Sequence, residues 1–294
     1  MKDINIIRQE TRDLIKQKFS EINFIEEGHK YFIGEKEYTP VSNIIKLYEP
    51  YVNWDEKAAG SARKLGKTKE EVLWDWKYNN LRSTISGTRT HTFGESYTNL
   101  MCGHPELICD DNKRQYLKEY NLIMPTYPKE EAVKKFYDEK PENLHCIGAE
   151  LMLSTRYMEN VKPICGTCDI LFYEENLENP EESGFVLGDW KTNKSLIKDF
   201  ARNKGIYMEY PFISMYDEPL SHYTIQFNLY QTMLESIGIK VIGRKLIWLK
   251  EDGNYEVINI ERLDESLMNH ILKDEDDDYF YLFRIVYLDN QRNQ

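Results

Sequence analysis

Asp55/Lys57, Asp75/Lys77, Asp111/Lys113 and Asp189/Lys191 each set an aspartate two residues before a lysine. Two of them are the same tripeptide, Asp-Trp-Lys, in LWDWKYNN and LGDWKTNK. A carboxylate binds a hard cation, and a neighbouring ammonium orients or helps deprotonate a water. The spacing therefore suits metal-assisted hydrolysis of a phosphodiester. It is also common by chance, so context has to separate the copies. On a strand, residues two apart project from one side; on a helix they sit about 200° apart. Asp75/Lys77 falls in a long helical stretch, and Asp55 and Asp111 fall in polar helical ones. Only Asp189/Lys191 follows an apolar run (Phe185, Val186, Leu187) and a glycine, as a strand leaving a core does. Asp169, closing ICGTCD, stands on the preceding strand, and two aspartates on adjacent strands can share one Mg²⁺.

The elements that must position these residues follow from periodicity. A helix over Ile4–Phe19 precedes a small hairpin in INFIEEGHKYFIGEKEYTPVS. Thr39-Pro40 reads as N-cap and first position of a helix over VSNIIKLY. Thr68 with Glu71 predicts a capping box for a long helix through Trp76, and Gly87 predicts a break before a second helical run carrying His91 and Glu95. Residues 105–140 read as charged amphipathic helices, with Pro128 at a helix start. IGAELMLSTRYM, KPICGTCDILFY and SGFVLGDWKT are strand candidates. A helix over SHYTIQFNLYQTMLESIG stops at Gly238; VIGRKLIWLK and NYEVINI are two more strands. A last helical segment leads to the acidic run DEDDDYF, which reads as solvated surface. The pattern predicts an α/β or α+β fold with a mixed sheet flanked by helices. The simplest division is an N-terminal hairpin and helical region over 1–140, a core and C-terminal helices over 141–294, the two forming one integrated domain.

The order of motifs resembles the RecB-type branch of the PD-(D/E)XK nucleases. Gly166–Asp169 matches G-T-x-D, Asp189–Thr192 matches D-W-K-T, and Gln226–Tyr230 matches Q-x-x-x-Y. Upstream, GTRTHTFGE matches G-x-x-x-H-x-x-x-E with His91 and Glu95, and GAELMLS resembles the strand that supplies a further acid, Glu150. The resemblance spans roughly residues 38–250. By pattern it is nearest to phage and CRISPR-associated exonucleases and the mitochondrial genome-maintenance exonuclease. It implies a restriction-endonuclease-like core with a helical N-terminal elaboration. It implies that Asp169 and Asp189 hold Mg²⁺ or Mn²⁺, with the Trp190 carbonyl as a further ligand and Lys191 as the catalytic lysine. His91 would be an additional ligand, which suits Mn²⁺ better, and Glu150 would hold the ion directly or through water. Gln226, Tyr230, Thr192 and Glu95 would orient the site or the DNA strand; the plain alternative for Glu95, four residues after His91, is a pairing with that imidazole. The implied activity is a deoxyribonuclease, most simply an exonuclease on single-stranded DNA or free ends in replication, recombination or repair, encoded by a phage or mobile element. A catalytically silent DNA-binding or assembly subunit on the same fold is the alternative. Some members carry an iron–sulfur cluster on cysteines after the core. No cysteine follows Cys168, so none is expected here.

Composition bounds these readings. The net charge is −12, yet residues 1–100 hold 16 Lys+Arg against 15 Asp+Glu, and Lys57–Arg89 holds eight bases and three acids. That stretch is a candidate phosphate track or a solvated helix face. No apolar run reaches a membrane span and the N-terminus lacks a signal core, so a cytoplasmic protein is expected. Five cysteines, an odd number, predict reduced thiols rather than a disulfide framework. Cys165-x-x-Cys168 is either zinc-binding, with Cys102 and Cys109 as further ligands, or a redox pair, or buried strand packing; the apolar context favours packing.

Overall fold

The computed structural model describes residues 3–25, 27–103 and 127–273. Cys109, Asp111/Lys113, the 105–126 part of the expected amphipathic helices and the acidic run from Asp274 lie outside the described residues.

Helix α1 spans Ile4–Phe19, with the Asp3 side chain accepting from the Asn5 amide at its start and Ile15 and Phe19 buried. Strands β1 (Ile22–Ile25), β2 (Lys30–Ile33) and β3 (Lys36–Pro40) form an antiparallel meander. β3 runs through Pro40, which is itself the N-cap of α2 (Val41–Lys46). The expected cap at Thr39 is thus corrected. Thr39 is a strand residue paired with Ile164, and sheet pairing takes the backbone that a cap would have used.

Helix α3 (Trp54–Leu65) starts at Asn53 and ends at Gly66 with φ 64°, the left-handed C-cap that glycine adopts without strain. Helix α4 (Lys69–Met101) opens with the capping box of Thr68 and Glu71. It continues unbroken through Gly87, correcting the expected interruption. A glycine costs an exposed helix interior only about 1 kcal/mol relative to alanine, which the packing of the following turns offsets. Pro128 occupies the first turn of α5 (Pro128–Glu139), as expected.

The central sheet adds β4 (Leu144–Ser154), β5 (Ile164–Glu174), β6 (Gly184–Lys191), β7 (Val241–Leu249) and β8 (Tyr255–Asn259). It is one mixed eight-stranded sheet in the order β1-β2-β3-β5-β6-β7-β8, with β4 also paired along β5. β5 runs antiparallel to both β4 and β6, whereas β6 and β7 run parallel. A parallel pair needs a crossover, which α6 (Asp199–Lys204) and α7 (Pro219–Glu235) supply. Helix α8 is Glu265–Leu272. Residues alternate between two cores. Leu171, Leu187 and Leu246 pack with α1, α2 and α7. Ile170, Phe172, Val186, Trp190 and Ile247 pack with Phe93 of α4 and Val133 and Phe136 of α5.

Cys102, at the end of α4, is bonded to Cys146 of β4. This corrects the expectation of reduced thiols throughout and removes Cys102 from any four-cysteine zinc site. Cys165 and Cys168 are free and buried in β5. Burial pushes the Cys165 thiol up to about 12 and the Cys168 thiol well above its ordinary value, so both are neutral packing groups at physiological pH.

Phe136 is 2 % exposed and its ring meets those of Phe172, Trp190, Tyr137 and Tyr255. Phe136→Ala should lower unfolding free energy by about 3–5 kcal/mol in urea titrations, against roughly 0.5 kcal/mol or less for a substitution of exposed Glu178.

Candidate active site

Four elements bring the reactive groups together. The register pairing Ile170 with Gly188 sets Asp169 opposite Asp189 across β5 and β6. Leu187, Asp189 and Lys191 alternate onto the face that meets α7, while Gly188 and Trp190 face α4. Asp189 is 2 % exposed, and its Oδ1 is buried with no hydrogen-bond partner among the described residues. Lys191 Nζ lies 2.8 Å from Asp189 Oδ2. The Trp190 amide donates to Asp169 Oδ2 at 3.1 Å, and His91 Nδ1 from α4 approaches the same oxygen at 3.0 Å. The other D-W-K behaves as helix geometry requires: Asp75 turns to Lys67 at 2.5 Å, and Lys77 points to solvent.

Charge follows from this geometry. Burial and the charge of Asp169 push the Asp189 carboxyl up to about 8, so at neutral pH it keeps a proton, which relieves its repulsion with Asp169. Burial would raise Asp169 as well, but His91 and Lys191 outweigh it and hold that carboxyl far below the usual range. Burial pulls His91 down, and Asp169 more than compensates, leaving the imidazole raised. Burial likewise disfavours the Lys191 charge, and the two aspartates reverse that.

The cluster opens on a cleft of ≈ 540 Å³. His91 and Glu95 of α4, Glu150 of β4, Asp169 of β5 and Gln226 and Tyr230 of α7 all line it. Glu150 is exposed, has φ 50° and stands between the pairs Ala149/Ile170 and Leu151/Cys168, hence opposite Asp169. Gln226 Nε2 donates to the Tyr230 hydroxyl at 3.1 Å. Thr192 instead alternates with Trp190 toward α4, where its Oγ1 faces Gly87 and its carbonyl accepts from Lys129. Among the described residues no group of three or more His, Cys, Asp or Glu is arranged to hold a metal ion. In this arrangement Lys191 and His91 take up the oxygens that a cation would use. The donor chemistry nonetheless fits one: two facing carboxylates, one with an orphaned oxygen, repel each other until a proton or a cation comes between them.

Three residues escaped the sequence reading. Lys191 Nζ sits 4.3 Å from the centre of the Tyr223 ring, the Tyr223 hydroxyl donates to Asn193 Oδ1 at 2.6 Å, and Trp248 Nε1 donates to the Asn193 carbonyl at 2.7 Å. Tyr223 was accessible as the residue one turn before Gln226 on the same helix face. Asn193 and Trp248 carry no local signal.

No family model and no curated protein matches the chain. Among solved structures it is similar to one described as the crystal structure of SSO0001, at 16% identity and a TM-score of 0.33, over 93% of this chain and 86% of that one. Among the described residues no helix is long and apolar enough to cross a membrane.

The Asp189 shift fixes a pH dependence. Its folded pKa of about 8 exceeds the unfolded value near 4, so between them the folded state holds the extra proton and stability falls as pH rises. His91, also raised, contributes stability that is full below about pH 6.5 and lost above it. In EDTA, the melting temperature should fall from about pH 6 to about pH 9. Asp189→Asn should flatten that fall and exceed wild type at the alkaline end by on the order of 1–3 kcal/mol. Parallel pH profiles for the two proteins would overturn the assignment.

Proposed function

We propose that this chain is a metal-dependent deoxyribonuclease, an exonuclease acting on single-stranded DNA or free DNA ends in replication, recombination or repair. The observation that carries the reading is Asp189, buried beside Asp169 with one oxygen unpartnered and Lys191 at 2.8 Å. The ordered resemblance to RecB-type nucleases supports it, and so does the placement of His91, Glu150, Gln226 and Tyr230 around one cleft. Asp169, Asp189, the Trp190 carbonyl and Glu150, with His91, would hold Mg²⁺ or Mn²⁺. When bound, the ion supplies Lewis-acid polarisation of the phosphoryl oxygen and lowers the pKa of a water.

The chain's own groups do the rest. Lys191 stays charged and orients the attacking water, while the Tyr223 ring keeps its ammonium from swinging away. His91 and the Trp190 amide fix the Asp169 carboxylate. Gln226, pinned by Tyr230, offers its amide to the strand lying in the cleft. Protonated or cation-bound, Asp189 no longer adds to the repulsion that a carboxylate-lined cleft presents to phosphate. The setting we infer is the cytoplasm, with the gene carried by a phage or mobile element and replication or recombination proteins as partners. The closed contacts of Lys191 and His91 favour, as a second reading, a silent DNA-binding subunit.

With end-labelled DNA and Mn²⁺ or Mg²⁺, wild type should release labelled product. Asp189→Ala and Lys191→Ala should each lose on the order of 10²-fold or more, while Asp75→Ala stays active. Absence of cleavage on every DNA form would leave the silent subunit standing. Independently of turnover, Mn²⁺ should raise the melting temperature of wild type and leave that of Asp169→Asn/Asp189→Asn unchanged.

A further inference from the structure

We propose that α4 carries a base-stacking track that leads a single-stranded polynucleotide into the cleft; its role rests on the nuclease reading, its existence does not. Trp74, Tyr78, Leu81 and Ile85 are 65%, 51%, 57% and 62% exposed. Their spacing puts them on one stripe of the helix, and the same stripe continues to Thr88 and Thr92, which line the cleft beside His91. The stripe faces away from α3, which packs on the opposite side of α4 through Ala58, Ala62, Val72 and Trp76. From Trp74 to His91 the track is roughly 26 Å long at the rise of an α-helix. The Trp74 and Tyr78 rings are stacked, 5° apart in plane with centres at 5.3 Å, so the pair holds its outer faces parallel for a further ring.

Charge identifies the occupant. The chain has 50 acidic residues, yet none from Trp76 to Gly94. Lys77 and Arg82 flank the stripe on its two sides, both exposed and with no ion-pair partner among the described residues. Of the acids nearby, Asp75 pairs with Lys67 and Asp55 with Lys69, while Glu70 stands one turn before Trp74, at the end of the stripe remote from the cleft. A flat aromatic face accepts any unpaired base, and flanking cations take the phosphates. A duplex keeps its bases stacked inside and cannot use the rings. An apolar partner helix would fit the spacing, but it gives no reason for a helix without acids from Trp76 to Gly94 or for a stripe that ends in the cleft.

The test is binding of a fluorescein-labelled oligothymidylate to the full chain in EDTA, read by anisotropy, where cleavage cannot interfere. Wild type should bind the single strand more tightly than a duplex of equal length. Trp74→Ala/Tyr78→Ala should weaken single-strand binding at least tenfold, and Trp74→Phe/Tyr78→Phe, which keeps the rings, should restore most of it. Lys77→Gln/Arg82→Gln should shallow the salt dependence. Unchanged affinity in Trp74→Ala/Tyr78→Ala overturns the track, as does loss of self-association in sedimentation with no loss of single-strand binding. A protein that binds through these rings but never cuts keeps the track and sinks the nuclease. One that cuts through Asp189 with ring-independent affinity does the reverse.

Discussion

Two carboxyl groups face each other across antiparallel strands in a place that water barely reaches, and the rest of the site is arranged around that conflict. Leaving either charge buried and unpaired would cost several kcal/mol. The protein settles it by dividing the pair. Asp169 collects the positive partners, His91 and the Trp190 amide, and ionises; Asp189 shares Lys191 and keeps its proton. The division is asymmetric because α4 reaches only one of the two. An arrangement that holds a proton between two carboxyls under neutral conditions is one that a cation can replace, since both relieve the same repulsion.

What keeps the asymmetry in place is close approach of helices to the sheet. A Cβ added at Gly94 would stand 2.7 Å from Trp190 Nε1, and one at Gly166 would stand 2.6 Å from the Tyr230 ring. The first contact seats α4 one turn beyond His91 and so sets how far the imidazole reaches over β5. The second seats α7 and therefore Gln226. The glycine of the G-T-x-D stretch thus makes room for a helix, three residues before Asp169. Trp190 has a similar double use: its ring fills the second core while its amide steadies Asp169.

Much of this was legible in the residues. The alternation that separates Asp189/Lys191 from Asp75/Lys77 is a property of two residues in a strand or helix and needs no tertiary information, and the Thr68/Glu71 box is equally local. What local chemistry leaves open is settled by neighbours far along the chain. Gly87 reads as a break, yet the turns after it are anchored by Phe93 in the second core. Thr39 reads as a cap, yet β5 claims its backbone. Cys102 and Cys146 are remote in sequence, and only α4 crossing β4 makes them partners. Tyr223 reaches Lys191 because the β6–β7 crossover lays α7 over β6, whereas Asn193 is placed by a tryptophan from β7.

Taken as a sum, a net charge of −12 disfavours a polyanionic ligand, but the sum is the wrong quantity. At physiological ionic strength a charge is felt over about 8 Å, well short of the roughly 26 Å of exposed α4. A strand lying along that helix would sense Lys77, Arg82 and uncharged Asn, Ser and Thr side chains, while most of the acids stand elsewhere on the fold. At the cleft it would meet the carboxylates of Asp169, Glu150 and Glu95 together. On the proposed reading, the same molecule would present a polyanion with an attractive approach and a repulsive destination. Because Asp169 and Asp189 repel each other until a proton or a cation comes between them, a strand entering the cleft would do so together with occupation of that pair.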